Sequence, residues 1–193
     1  SASLVGSEMC IRDRFYRVVR FMNAFLDRIQ RKDASILMIF NNSIKCKLLD
    51  ILMPIITYIG SAIFGIIFCI ISFFYFKTKI LSIETATALI VSSLIARFIK
   101  VHVSRIRPYI TLKNLYTRKI GIDNYSFPSG HTTAAFSIGV MLALSIPSIA
   151  FFSILAAAAV GVSRMYLGVH YPTDVFVGML LGTITSLSIY FLI

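Results

Sequence analysis

From Thr132 to Ile193 the chain contains no Asp, Glu, Lys, Arg or His apart from Arg164, His170 and Asp174. A stretch so apolar belongs in a bilayer, where each backbone N–H and C=O must find its partner inside the protein, so helices or a closed barrel are the available solutions. The three exceptions fall within one segment, Ser163 to Asp174, S-R-M-Y-L-G-V-H-Y-P-T-D. A charged side chain inside hydrocarbon costs roughly 2.5–3.5 kcal/mol even on the lenient insertion scale. Two charges and a histidine kept so close together therefore mark a working site.

Composition agrees with a membrane protein. Hydrophobic residues make up 58% of the 193, too many for an ordinary soluble domain of this length. Cys10, Cys46 and Cys69 have unrelated spacings, which fit neither a metal pattern nor a paired disulfide set. The net charge is +11, and every Lys and Arg except Arg164 lies at or before Lys119. That asymmetry points to phospholipid headgroups or a phosphorylated substrate as partners. Nucleic acid is set aside because no recognised binding motif accompanies the charge.

Taken in order, residues 1–14 have no signal-peptide run and are read as a non-native or disordered leader. Residues 15–47 form an amphipathic region. Val18, Val19, Phe21, Met22, Phe25, Leu26 and Ile29 recur among Arg17, Arg20, Arg28, Arg31 and Lys32, which suits a helix on the membrane surface or one packed on its own protein. Residues 48–193 are read as the membrane domain. Its spans run over roughly 61–76, extending back toward Met53, then 81–103, 130–146, 148–167 and 173–193, each near the ~20 residues needed to cross hydrocarbon. The expected fold is all-α, a polytopic membrane helix bundle of about five transmembrane helices with an N-terminal amphipathic helix. Counting crossings puts loop 104–127, segment 163–174 and the N-terminal region on one face of the membrane.

Three blocks on that face belong together. In K-V-H-V-S-R-I-R-P, Lys100 and Arg107 are seven apart, so a helix persisting that far would turn both the same way. In F-P-S-G-H, Pro128, Ser129 and Gly130 open a helix whose free N–H groups suit a phosphate, with His131 directly after. In the third block Arg164 ends one span and Asp174 lies in the first turn of the next. There it can accept from one nitrogen of His170 and leave the other free to attack. Each block has a plainer reading: a snorkelling Lys–Arg pair, an interfacial histidine, a buried Arg–Asp pair. Jointly they supply three cations, two histidines and one orienting carboxylate. Planar Arg forks match phosphate oxygens, and a doubly negative group would satisfy three cations. One histidine backed by a carboxylate and one without suggest a nucleophile and a general acid. No carboxylate cluster suited to Mg2+ or Zn2+ is evident, and no cofactor is called for, so the inferred chemistry is metal-independent phosphoryl transfer through a phosphohistidine.

K-x6-R-P at Lys100–Pro108, P-S-G-H at Pro128–His131 and S-R-x5-H-x3-D at Ser163–Asp174 resemble the three-part signature of the type-2 phosphatidic acid phosphatase family. That family includes undecaprenyl-diphosphate phosphatases and vanadium haloperoxidases. The resemblance covers about Ile59 to the C-terminus and implies six spans where five are read. It implies that Lys100, Arg107 and Arg164 hold phosphate with help from Ser129 and Gly130, that His170 is the nucleophile oriented by Asp174, and that His131 protonates the leaving oxygen. Substrates would be lipid phosphates or diphosphates, such as undecaprenyl diphosphate, phosphatidylglycerophosphate or phosphatidate. The alternative is a lipid-phosphate binding or transport protein that does not hydrolyse. The positive-inside rule would turn the site toward the cytoplasm. The resemblance places it on the extracytoplasmic face of the cell membrane, and that placement is the one adopted.

Overall fold

The computed structural model describes residues 27–75, 79–118, 120 and 123–192. The expected leader 1–14, the apolar positions 18–26 and Lys77 lie outside them. Residues 27–43 are helical (α1), followed by α2 (Lys47–Thr57), a 3-10 turn (Tyr58–Gly60), α3 (Ala62–Phe74), α4 (Lys79–Val103), the short α5 (Pro108–Thr111), α6 (Gly130–Ser145), α7 (Ala150–Tyr166) and α8 (Pro172–Leu192). Among the described residues there is no strand.

Three helical stretches are long and apolar enough to cross a membrane: 79–111, 147–166 and 172–192. Helices α2 and α3 reach that length only as a bent pair, and α6 falls short of it, so three or four spans stand among the described residues where about five were expected. The stretch through α2 and the 3-10 turn meets α3 at 58°. Pro54 inside α2 removes one ladder hydrogen bond, and the extended Ser61 interrupts the backbone, its side chain capping α3 by accepting from Phe64 N. The single span read over 61–76, with an extension toward Met53, is thus two helices meeting at a corner.

At 16 residues α6 is the shortest of the long helices, and it is the hub, packed against α4, α7 and α8. Thr132 to Met141 are buried without a break. Close approach rests on small residues, the device that lets helices associate where lipid supplies no hydrophobic drive. A Cβ on Gly182 of α8 would stand 2.5 Å from the Thr133 carbonyl oxygen of α6, so the two backbones touch. Serine hydroxyls bridge the same contacts: Ser92 with Ser137 at 3.0 Å, and Ser186 to the Ser137 carbonyl at 3.0 Å. Outside, the pattern inverts. Phe74, Phe151 and Phe191 are among many large apolar side chains left exposed, the surface expected of a protein solvated by lipid.

Helix α1 docks onto the protein. Asp33, Leu37 and Asn41 are spaced four apart, one face of a helix, and all three are buried. Leu37 packs with Met165 and Tyr171. The Asn41 amide donates to the carbonyls of Tyr116 (2.8 Å) and Tyr166 (3.0 Å), while its oxygen accepts from Tyr116 N (2.8 Å). Leu37 by packing and Asn41 by hydrogen bonds hold that face to the protein.

Candidate active site

The ends of α4 and α7 and the starts of α6 and α8 carry the three sequence blocks. Lys100 and Arg164 lie in the last turns of α4 and α7, where cations complement the helix dipole. Lys100 Nζ sits 2.8 Å from Asp123 Oδ2. Arg107 reaches the same carboxylate, with Nη2 2.5 Å from Oδ1, and its Nε donates to the Asp123 carbonyl at 2.8 Å. The two cations converge by a route other than the expected one. Helix α4 stops at Val103, Ser104 takes a left-handed φ of 48°, and Arg107, held extended by Pro108, folds back toward the lysine. They share a loop-built pocket, not a helix face.

Arg164 is fully buried, its Nη1 donating to Thr57 Oγ1 (3.0 Å) and to the Ile120 carbonyl (2.9 Å). Its charge also acts on Arg107, His131 and His170, which are therefore within electrostatic reach of it.

His170 lies on the turn between α7 and α8. Gly168 makes that turn possible: its φ is +67°, and a Cβ there would fall 2.6 Å from the Tyr116 carbonyl oxygen. His170 Nδ1 is 2.7 Å from the Ser126 carbonyl oxygen. A carbonyl can only accept, so Nδ1 carries the proton and Nε2 is bare. That bare nitrogen lies 3.4 Å from Arg107 Nη1, which also donates to the Val169 carbonyl at 2.9 Å. Burial pushes the His170 pKa down to about 4. The nearby carboxylate of Asp174 pulls upward, and the Arg164 and Arg107 charges push down further.

Asp174 stands farther from the imidazole than its expected role suggests, with Oδ2 3.6 Å from Nδ1. Its oxygens are engaged by Arg105 Nη1 (2.6 Å) and by the Tyr171 N–H (2.8 Å). Ser126 is the nearer partner of Nδ1. Ser129 caps α6, its hydroxyl accepting from Thr132 Oγ1 at 2.9 Å while its N–H donates to the Asp174 carbonyl at 3.0 Å. Gly130 is exposed and His131 half-buried. One cavity of about 420 Å3 is lined by Lys100, Asp123 and Tyr125, and a second of about 550 Å3 by His131 and the apolar Ala62, Ile66, Leu89 and Ile90. Gly130 lines both, and a Cβ added to it would meet nothing within 4 Å.

The profile of the PAP2 superfamily matches residues 81–193. The chain belongs to the PAP2 superfamily. It is 36% identical over 115 residues to the bacitracin transport permease protein BcrC of Bacillus licheniformis, covering 59% of this chain and 56% of that protein. It is 30% identical over 115 residues to an undecaprenyl-diphosphatase of Sulfolobus acidocaldarius, covering 58% of this chain and 56% of the relative. The chain thus spans little more than half the length of these relatives. The crystal structure of Aquifex aeolicus LpxE superposes with a TM-score of 0.74 at 29% identity, over 81% of this chain and 93% of that one. With its long apolar helices, this PAP2 chain is a multi-pass membrane protein.

Sequence reasoning passed over Asp123, Arg105, Asp33 and Ser126. Asp123 left a trace, being the only acidic residue between Glu84 and Asp174. The charges of Lys100 and Arg107 and their hydrogen bonds hold its carboxyl below the usual carboxylate range, although burial alone would raise it. Ser126 acts through a backbone carbonyl, which no residue type announces.

Proposed function

We propose that this PAP2 chain is an integral-membrane phosphatase that removes phosphate from a lipid phosphate or diphosphate through a phosphohistidine at His170. One observation carries this reading: the bare Nε2 of His170 is 3.4 Å from Arg107 Nη1, with Arg107 joined to Lys100 through the Asp123 carboxylate and Arg164 within electrostatic reach of the imidazole. Burial and the Arg164 charge hold His131 neutral before substrate binds, and a doubly negative phosphate bound beside it offsets those charges and lets it take up a proton. Nε2 attacks phosphorus, the bond from phosphorus to the leaving oxygen breaks, and the protonated His131 gives that oxygen its proton. Water then cleaves the N–P bond with His131 as base. The three cations stabilise charge on the phosphoryl oxygens as it develops. Ser126 and Asp174 stabilise the imidazolium through Nδ1. The Asp123 carboxylate, whose side chain is 58% exposed, gives up Lys100 and Arg107 to the incoming phosphate and turns to solvent.

The apolar cavity beside His131 supports a lipid leaving group, since an isoprenoid or acyl chain can lie along α3 and α4 while its headgroup reaches the cations at Gly130. Undecaprenyl diphosphate, phosphatidylglycerophosphate and phosphatidate all meet that description. The site faces the extracytoplasmic side of the cell membrane. A lone cysteine at Asn114, an exposed loop position, is expected to react with an impermeant reagent in intact cells. Protection would turn the site inward.

Phosphate release measured colorimetrically in detergent across these lipids tests the reading. His170→Ala is expected to abolish release while the thermal unfolding transition stays in place, and retained turnover would remove the mechanism. A binding or transport protein would show lipid affinity with no release in the parent chain either, and would leave a second histidine at the leaving-group position without a purpose.

A further inference from the structure

The acidic residue buried in α1 lies two hydrogen bonds from the Asp174 carboxylate, which stands 3.6 Å from the imidazole proposed as nucleophile. Asp33 Oδ2 accepts from Arg105 Nη2 at 2.7 Å and Oδ1 from the Thr173 N–H at 3.1 Å; Thr173 Oγ1 also donates to Asp33. The other arm of the same guanidinium, Nη1, donates to Asp174 Oδ1 at 2.6 Å and to Thr173 Oγ1 at 2.7 Å. The guanidinium lies over the ring of Tyr171, 4.0 Å from its centroid, and the Tyr171 hydroxyl meets Thr111 Oγ1 at 2.7 Å. Asp33 and Asp174 are almost wholly buried, and the Arg105 side chain is only 18% exposed. We infer that Asp33 is a positioning residue for the phosphotransfer step, acting on His170 through Arg105 and Asp174. The inference rests on the function proposed above.

Two features separate this role from simple anchoring of α1. Asn41 and Leu37 already fasten the helix by three hydrogen bonds and an apolar contact, and a buried carboxylate is an expensive further anchor. The hydrogen bonds also divide the guanidinium between two carboxylates. With Asp33 absent, Arg105 would give its whole fork to Asp174, and Asp174 could swing from 3.6 Å off Nδ1 into a closed bidentate pair. With Asp33 present, Asp174 keeps Oδ2 on the Tyr171 N–H, turned toward the imidazole. As Nε2 bonds to phosphorus the ring gains positive charge, and a carboxylate held at that distance stabilises it. The N-terminal helix thus reaches the chemistry without touching substrate.

The test uses the full chain in detergent, with phosphate release from a lipid diphosphate resolved into kcat and KM. Asp33→Asn is expected to lower kcat by about 10- to 100-fold and to leave KM within threefold, because the phosphate cradle is untouched. In an Asp174→Asn background the same substitution is expected to have no further effect, since both act on one imidazole. Asn41→Ala serves as the control for docking: it is expected to lower the unfolding temperature and keep kcat. Should Asp33→Asn not fold, Arg105→Lys, which keeps the charge but cannot fork, is expected to give the same loss of kcat. Unchanged kcat in folded Asp33→Asn, multiplicative losses in the double variant, or an equal loss from Asn41→Ala would each overturn the inference. His170→Ala separates the two levels. Activity in that variant removes the proposed function, whereas an inactive His170→Ala beside a fully active Asp33→Asn removes only this inference.

Discussion

Gly130 offers a test in which fold and function are expected to move in opposite directions. It is the first residue of α6, and its backbone is not left-handed, so alanine can take its conformation unstrained. A Cβ there meets no protein atom within 4 Å. Replacing glycine by alanine in a helix is worth about 0.5–1 kcal/mol, less at a helix start, which for a domain of this size raises the unfolding temperature by about 1–4 °C. Gly130 lines both cavities, one with Lys100 and the other with His131, and the same methyl enters that space. A reacting group displaced by about 1 Å commonly loses 100-fold in rate, and a fall in kcat/KM of that order is expected for Gly130→Ala. Thermal unfolding followed alongside phosphate release, in one detergent preparation, reads both. An unchanged kcat/KM would refute the claim that substrate occupies this space. A lowered unfolding temperature would show that the glycine serves packing.

Other positions separate packing from chemistry differently. Gly60→Ala places a methyl 2.4 Å from the His131 carbonyl oxygen and 2.8 Å from Val160 Cγ1, so it is expected to destabilise by about 1–3 kcal/mol and to lower kcat by moving His131. Denaturant unfolding and single-turnover kinetics check the two effects separately. Gly139→Ala places a methyl 2.9 Å from the Ser153 carbonyl oxygen, about two turns of α6 beyond His131, and is expected to cost similar stability, with the kcat of the folded fraction unchanged. His170, with its pKa lowered to about 4, is neutral at pH 6 in the folded protein, whereas an exposed histidine is half protonated near 6.5. The folded state therefore binds fewer protons than the unfolded chain between these values, and His170 withdraws stability as pH falls through that window. Nitrogen-15 NMR of labelled histidine is expected to show the Nδ1–H tautomer at pH 6, and an imidazolium at that pH would contradict the assigned hydrogen bonds.

Much of this architecture was legible from residue order. The near absence of charge after Thr132 announced the spans, and Arg164, His170 and Asp174 stood out by breaking that rule. Lys100, Gly130 and His131 do lie at helix ends, as residue order implied, whereas Arg107 lies on the loop before α5. Helix persistence failed as an argument for Lys100 and Arg107, since a left-handed Ser104 leaves no mark that sequence periodicity can detect. The bend at Ser61 was visible only as Pro54 and Gly60, whose joint effect depends on what α6 presents to them. Asp33 looked like one charge among many on a basic amphipathic helix. Its meaning depends on Arg105 and Thr173, 72 and 140 residues away in the chain, and no local pattern encodes such a contact.

The central claim is that phosphate passes to one nitrogen of one histidine. It is tested most directly by mixing the protein with a lipid diphosphate labelled on its terminal phosphate, quenching in base and mapping the label. Because Nδ1 is committed to the Ser126 carbonyl, the account predicts acid-labile label on His170 as the Nε2 isomer. Label on the Nδ1 isomer, on His131, or on no histidine while turnover proceeds would contradict it.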